Sequence, residues 1–435
     1  MKKPSHETFD QPLILSILRK EAGVSGTRLP TNFDRWAERI EGHPDGYTFA
    51  HEAILSSYAV PQSFNAWTER DKNGETVAHL AARRGYRFPN DFDGWALANR
   101  DGDTVAHLTA RECQILPPIR EDILALRNAQ GRTVAHELAK SYTYLSRYPQ
   151  CLSWATPSGW TVAHEVALRT GRLPKDFDGW AWRDDQGYTV AHVHASMHAY
   201  HRVGAPLIPD DFKGWSTKDA FGDTVAHKAL SGRHPLPERF DGWAWTDKKG
   251  DPVAHKVIHE GGRLPDHFRA WDLRDARGKT VIHLMAERKL RLPKGFKHWD
   301  WADNEGNTIA HAMILAERDR IPGLSEKLGW ANKAGRTVAH CMVEQRMPLP
   351  EGFDGWAWAD KADWTIAHEA AKQGLCLPDE IPMALLEQAD VQGIRVIDVA
   401  RKHRALAIVA MYEQRVLQER MTSPAPRSKI KKGSF

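Results

Sequence analysis

"TVAHEVALRTGRLPKDFDGWAWRDDQG", residues 161–187, is one complete copy of a pattern that fills the chain. Its opening tetrapeptide, or a near copy, recurs with histidine at His51, His79, His107, His136, His164, His192, His227, His255, His283, His311, His340 and His368, and a thirteenth slot holds Asp398. The spacings are 28, 28, 29, 28, 28, 35, 28, 28, 28, 29, 28 and 30 residues. A period of this length means that one supersecondary unit has been copied along the chain.

The chemistry of one unit is legible. Asp or Asn stands eight residues before the histidine (Asp71, Asn99, Asn128, Asp184, Asp219) and Gly five before it (Gly74, Gly102, Gly131, Gly187, Gly222). Asp-x-x-Gly is turn chemistry, because the side chain accepts from nearby amides and Gly takes a positive φ at low cost. Thr, three before the histidine, then caps a helix whose third residue is the histidine itself. The positions at His+2 and His+3 are apolar or small, as in Ala81–Ala82, Val166–Ala167 and Met313–Ile314, and Gly85, Gly261 and Gly374 mark the exit at His+6. The spacing predicts a helix of about ten residues. Pro, ten after the histidine, suits the first turn of a second short helix with Phe and Trp on its inner face. The Trp-Ala-Trp alternation predicts an extended exit. A helix this short does not stand alone, so the units must stack to bury their Phe and Trp.

Asp-x-x-Gly-x-Thr-x-x-His-x-x-Ala-x-x-Gly, read from Asp71 to Gly85, resembles the ankyrin repeat, which writes Thr-Pro-Leu-His where this chain writes Thr-Val-Ala-His. The likeness recurs across residues 43–400, and "GIRVIDVARKHRALAIVAMYEQRVL" resembles a terminal ankyrin repeat with Asp in the histidine slot. The family's period is 33 residues, so the shorter unit here loses its residues from the second half. The resemblance implies an all-α, ankyrin-like solenoid of 12–13 helix-turn-helix repeats with extended turn fingers. It also implies protein–protein recognition without catalysis. Bacterial proteins of this kind include effectors acting on host or competitor proteins. The expected organisation is an N-terminal cap and partial repeat (1–42), a repeat array (43–393), a C-terminal capping repeat (394–421) and a disordered basic tail (422–435).

Composition bounds the rest. Four scattered cysteines (Cys113, Cys151, Cys341, Cys376) make no disulfide framework and fit a reducing, cytoplasmic setting. No secretory signal or membrane span is read in the first residues, so delivery to another cell would need a different route. The net charge is +4, and the tail supplies it through Arg427, Lys429, Lys431 and Lys432. The near-neutral body argues against a general nucleic-acid binder, which leaves at most weak contact through the tail. No phosphate-cradling Gly-x-x-x-x-Gly-Lys, Gly-x-Ser-x-Gly or His-Glu-x-x-His occurs, so neither enzyme chemistry nor a cofactor is expected.

The twelve repeat histidines stand one per layer, an arrangement that builds no tetrahedral metal site. They are expected to be neutral and to bond backbone in the adjoining turn, tying layers together. The stretch "AHVHASMHAYH" (191–201) adds His194, His198 and His201 at i, i+4 and i+7, one face of a helix. Its unit is seven residues longer than its neighbours, and a helix lengthened by two turns is the simplest expectation. A metal site at His194, His198 and His201 is the sharper alternative, and His198 and His201 are also candidates for a protruding recognition feature. The second tryptophans of the Trp-x-Trp pairs, Trp182, Trp245, Trp301 and Trp358, are candidate partner anchors if one face of their segment is exposed.

Overall fold

The structure is a computed structural model that describes residues 33–56, 60–61, 64–112, 120–140, 145–197, 208–317 and 321–422. The regular structure of these residues is helical, and their β pairing is limited to isolated antiparallel bridges. The chain divides into two compact units, residues 1–241 and 242–435.

Thirteen repeat helices follow one another among the described residues. In the first unit they are α1 (Phe49–Leu55), α2 (Val77–Arg83), α3 (Val105–Arg111), α4 (Val134–Leu138), α5 (Val162–Arg169), α6 (Val190–Ser196) and α7 (Val225–Ser231). In the second they are α8 (Val253–His259), α9 (Val281–Glu287), α10 (Ile309–Leu315), α11 (Val338–Glu344), α12 (Ile366–Gln373) and α13 (Val396–Lys402), followed by the longer α14 (Leu406–Thr422). Within each unit every helix packs against the next in chain order. The core between them is the apolar set expected from the repeat, for example Ile282, Ile314, Ile366 and Ile397, each fully buried in the second unit.

The helices have five to eight residues rather than ten. The missing residues are the caps. Thr76 is extended and outside α2, and beyond Arg84 the chain reverses through a left-handed residue at His+6. Gly85, Gly261 and Gly374 hold that conformation without penalty. Arg233, Lys289, Glu317, Arg346 and Arg404 hold it at the same position with positive φ.

The second half of the repeat is not a helix opening on Pro. The Phe amide bonds back to the Pro carbonyl three residues earlier, as in Phe92 to Pro89, Phe177 to Pro174 and Phe353 to Pro350. A 3₁₀ turn then carries the Trp, as in Gly94–Ala96, Gly179–Ala181 and Gly355–Ala357. With three residues per turn, Phe and Trp three apart lie on one face. They meet edge to face, with ring centroids 4.9 Å apart for Phe92–Trp95 and 4.7 Å for Phe268–Trp271. The extended exit after Trp-Ala-Trp is present, and it pairs with the capping Thr through bridges such as Arg183↔Thr189.

A further difference concerns residues 190–197. Helix α6 is no longer than its neighbours and ends at Ser196, because Met197 turns extended. His198 and His201 lie outside the described residues, as do the first 32 residues and the tail beyond Thr422.

Candidate functional site

The repeated Thr-x-x-His is a reciprocal cap. In α2 the His79 amide donates to Thr76 Oγ1, and the Thr76 amide donates to His79 Nδ1 at 3.2 Å. The Thr76 hydroxyl lies 2.6 Å from the same nitrogen. Histidine thus takes the place of the glutamate in the usual capping box. A nitrogen that accepts from a backbone amide carries no proton, so the other ring nitrogen does, and it donates to the next repeat. His79 Nε2 reaches the Asp103 carbonyl at 3.1 Å, His107 that of Arg132 at 3.0 Å and His136 that of Trp160 at 3.2 Å. In the second unit His283 reaches Asn307 at 3.0 Å and His340 reaches Trp364 at 3.1 Å. Burial, first of all, holds these rings below the ordinary histidine range, His51 and His136 down to about 4. The same direction holds for His79, His107, His164, His192, His255, His283, His311, His340 and His368.

One repeat breaks the cap. Pro252 replaces Thr before α8, and His255 Nδ1 is left buried without a partner while Nε2 still bonds the Lys279 carbonyl at 2.9 Å. Pro252→Thr is therefore expected to stabilise the protein by about 1 kcal/mol, read as a higher urea midpoint at unchanged slope.

The turns form a second ladder. Asp71 Oδ1 accepts from the amides of Asn73 and Glu75, and the finger amide of Lys72 donates to the Asp45 carbonyl of the preceding repeat. Lys333 to Glu305 and Lys361 to Ala334 repeat this tie in the second unit. Arginines nine residues before the histidine add another, which the repeat pattern did not single out. Arg70 spans its own Gly74 carbonyl and the Ala98 carbonyl of the next repeat, and Arg127 and Arg274 do the same.

The acidic residue after the histidine gathers side chains of its own and neighbouring repeats. Glu165 accepts from the Trp160 indole at 2.9 Å and pairs with Arg132 and Arg169, and Glu369 accepts from the Trp364 indole at 3.0 Å. Burial alone would raise these carboxyls, but the hydrogen bonds outweigh it and lower both. Glu52 has His43 as its charge partner, at 3.4 Å, and burial pushes it up to about 7.

Of the candidate anchors, Trp182, Trp245 and Trp358 come just after a 3₁₀ turn, and Trp301 follows a plain turn. Trp182, Trp245 and Trp301 are half-buried, and Trp358 is exposed at 38%. Each of Trp182, Trp245 and Trp358 folds over the glycine of its own turn (Gly179, Gly242, Gly355), where a Cβ would meet the indole within 2.7 Å. Trp182, Trp301 and Trp358 also lie against the Phe of their own repeat. Their packing is thus chiefly within the repeat. Phe353, against which Trp358 packs, and Ala357, its chain neighbour, line a groove in the second unit with a volume of about 1170 Å³. The groove is lined by Met347, Leu349, Phe353, Trp356, Ile381 and Leu385 among others, and includes the exposed, free Cys376. Phe221, 55% exposed at a finger tip in the first unit, is a further aromatic that the repeat pattern did not single out, since it falls in a turn position.

Of His194, His198 and His201, the described residues include His194 alone. It is buried at 4% exposure, edge to face with Trp180 at 5.2 Å and with His234 of the next repeat at 5.6 Å. Among the described residues no three His, Cys, Asp or Glu converge as a metal site, and no helix is long and apolar enough to cross a membrane.

No family model matches the chain, and no curated protein matches it. Among solved structures, that of a predatory endopeptidase from Bdellovibrio bacteriovorus in complex with an immunity protein contains a chain similar to this one at 18% identity. The match covers 33% of this chain and 89% of that chain at a TM-score of 0.24, too low to bear on fold or function.

Proposed function

We propose that the protein is a non-catalytic interaction module, an ankyrin-like α-solenoid that acts as a scaffold, inhibitor or modulator of a partner protein. Several features support this reading. Asx turn, Thr cap, layer-tying histidine and left-handed exit follow one another in the repeats, and neighbouring helices pack in chain order. Within each unit, backbone and side-chain hydrogen bonds tie neighbouring layers together, which would present a preorganised surface with little ordering cost on binding.

The observation that carries the proposal is the groove of about 1170 Å³ beside exposed Trp358. An apolar concavity next to an accessible indole is the usual setting of a binding hot spot. The test is affinity capture from native-host lysate with the full chain and with a version ending at Met421. A stoichiometric protein retained by both forms is expected. In a Cys113→Ser background, its capture should fall at least about tenfold after Trp358→Ala or after a bulky maleimide is attached at Cys376, the scale of one hot-spot contact. Capture indifferent to both changes would remove the groove from the function. Loss on tail deletion alone, together with nucleic acid in the wild-type eluate, would favour the basic tail instead.

A further inference from the structure

His194 and His234 stand apart from the repeat histidines. They occupy His+2 of α6 and His+7 of the following repeat, positions that hold histidine nowhere else in this chain. Both are buried, at 4% and 8% exposure, and their ring centroids are 5.6 Å apart at 69°. The repeat histidines use Nδ1 to accept and Nε2 to donate. His234 does the reverse. Its Nδ1 lies 3.2 Å from the Pro235 carbonyl, which can only accept, so Nδ1 carries the proton. Its Nε2 is then the lone-pair nitrogen, and it is buried with no hydrogen-bond partner. A ring fixed through N–H to a backbone carbonyl, with the opposite nitrogen bare, is how proteins orient an imidazole toward a metal.

The spacing agrees. At metal–nitrogen bonds of ~2 Å, two imidazoles sharing one ion place their ring centres ~5–6 Å apart. Burial selects the ion. Among the described residues no carboxylate or thiolate joins the pair to complete a three-ligand group. An uncompensated dication is disfavoured in such a place, whereas a monovalent ion that accepts two neutral nitrogen ligands is far less so. We propose that His194 and His234 form a two-imidazole site, bridging two consecutive repeats of the first unit, for a single Cu(I) ion. The proposal is independent of the groove and of the partner-binding reading.

The test is an anaerobic titration of the full-length protein with Cu(I), competed by a chromogenic Cu(I) chelator. One equivalent is expected to be retained, with X-ray absorption showing imidazole scattering. His234→Gln should weaken retention at least about tenfold, and His194→Gln likewise, while far-UV dichroism confirms that both variants stay folded. His198→Ala and His201→Ala should leave it unchanged. No retained copper, or equal retention in His234→Gln, would overturn the site. Retention lost only with His198 or His201 would overturn the site in favour of those two histidines, and preference for Zn²⁺ over Cu(I) would overturn the choice of ion.

Discussion

Acidification from pH 6.5 to about pH 4 is expected to unfold the protein cooperatively, with net proton uptake. The repeat histidines make hydrogen bonds at both ring nitrogens, and the one accepted at Nδ1 requires the neutral ring, whereas the Nε2–H bond to the next repeat is made by either form. Protonation at Nδ1 would set an N–H against the Thr amide that now donates to it, as at Thr76, Thr104 and Thr280. Burial, first of all, holds the folded rings below their ordinary value of 6.5, to about 4 at His51 and His136, whereas unfolded rings are not held there. The sign follows directly. Above pH 6.5 both states are neutral and the full stability is present. Below it the unfolded state binds more protons, and stability drops by about 1.4 kcal/mol per pH unit for each such ring.

Lowered carboxyls such as Asp103 and Glu137 act in the same direction, but at more acidic pH. Glu52, raised to about 7, opposes them, since it binds its proton more readily when folded. The measurement is tryptophan fluorescence and far-UV dichroism against pH, with calorimetric proton uptake at about pH 5.5, inside the window between the two histidine values. Helix content unchanged at the acid end, or NMR titration of most repeat rings near the ordinary histidine value, would contradict the expectation. His311→Gln should lower the uptake by up to one proton.

Gly232→Ala is expected to be among the most damaging single substitutions, at about 2–3 kcal/mol or more. The reason is not backbone freedom, since Gly232 has φ −82°, which any residue adopts. It is close approach. A Cβ there would lie 1.9 Å from the Ala195 carbonyl oxygen of the preceding repeat, and backbone cannot swing away as a side chain can. Gly261→Ala supplies the contrast. Its φ is +75° with nothing within 4 Å of a Cβ, so only left-handed strain of about 1 kcal/mol is expected. Chemical denaturation of the two variants should separate them in that order. Equal losses would mean that the first unit repacks around position 232.

The period, the turn glycines, the Thr cap and the apolar pair at His+2 and His+3 were legible in the sequence because each depends on residues a few positions apart. Local hydrogen-bonding chemistry decides them: an Asx side chain meets its own turn, and a Thr hydroxyl meets the third helical amide. The tie of His79 to Asp103, 24 residues on, follows once stacking is assumed. What the sequence misread were lengths and partners. Phe and Trp three residues apart fit a helix face or a 3₁₀ turn equally, and only the folded backbone, with the Leu97 amide bonded to the Gly94 carbonyl, chooses between them. The role of Glu165 is not legible in its own repeat because one of its arginines, Arg132, is supplied by the preceding one. Nothing in the sequence pairs His194 with His234, forty residues away, and tertiary packing brings the two rings together. Sequence by itself determined the repeated unit and its caps, since these are short-range interactions. Tertiary structure alone decided which side chains meet across layers and where a groove remains open, because those contacts depend on how neighbouring repeats fit together.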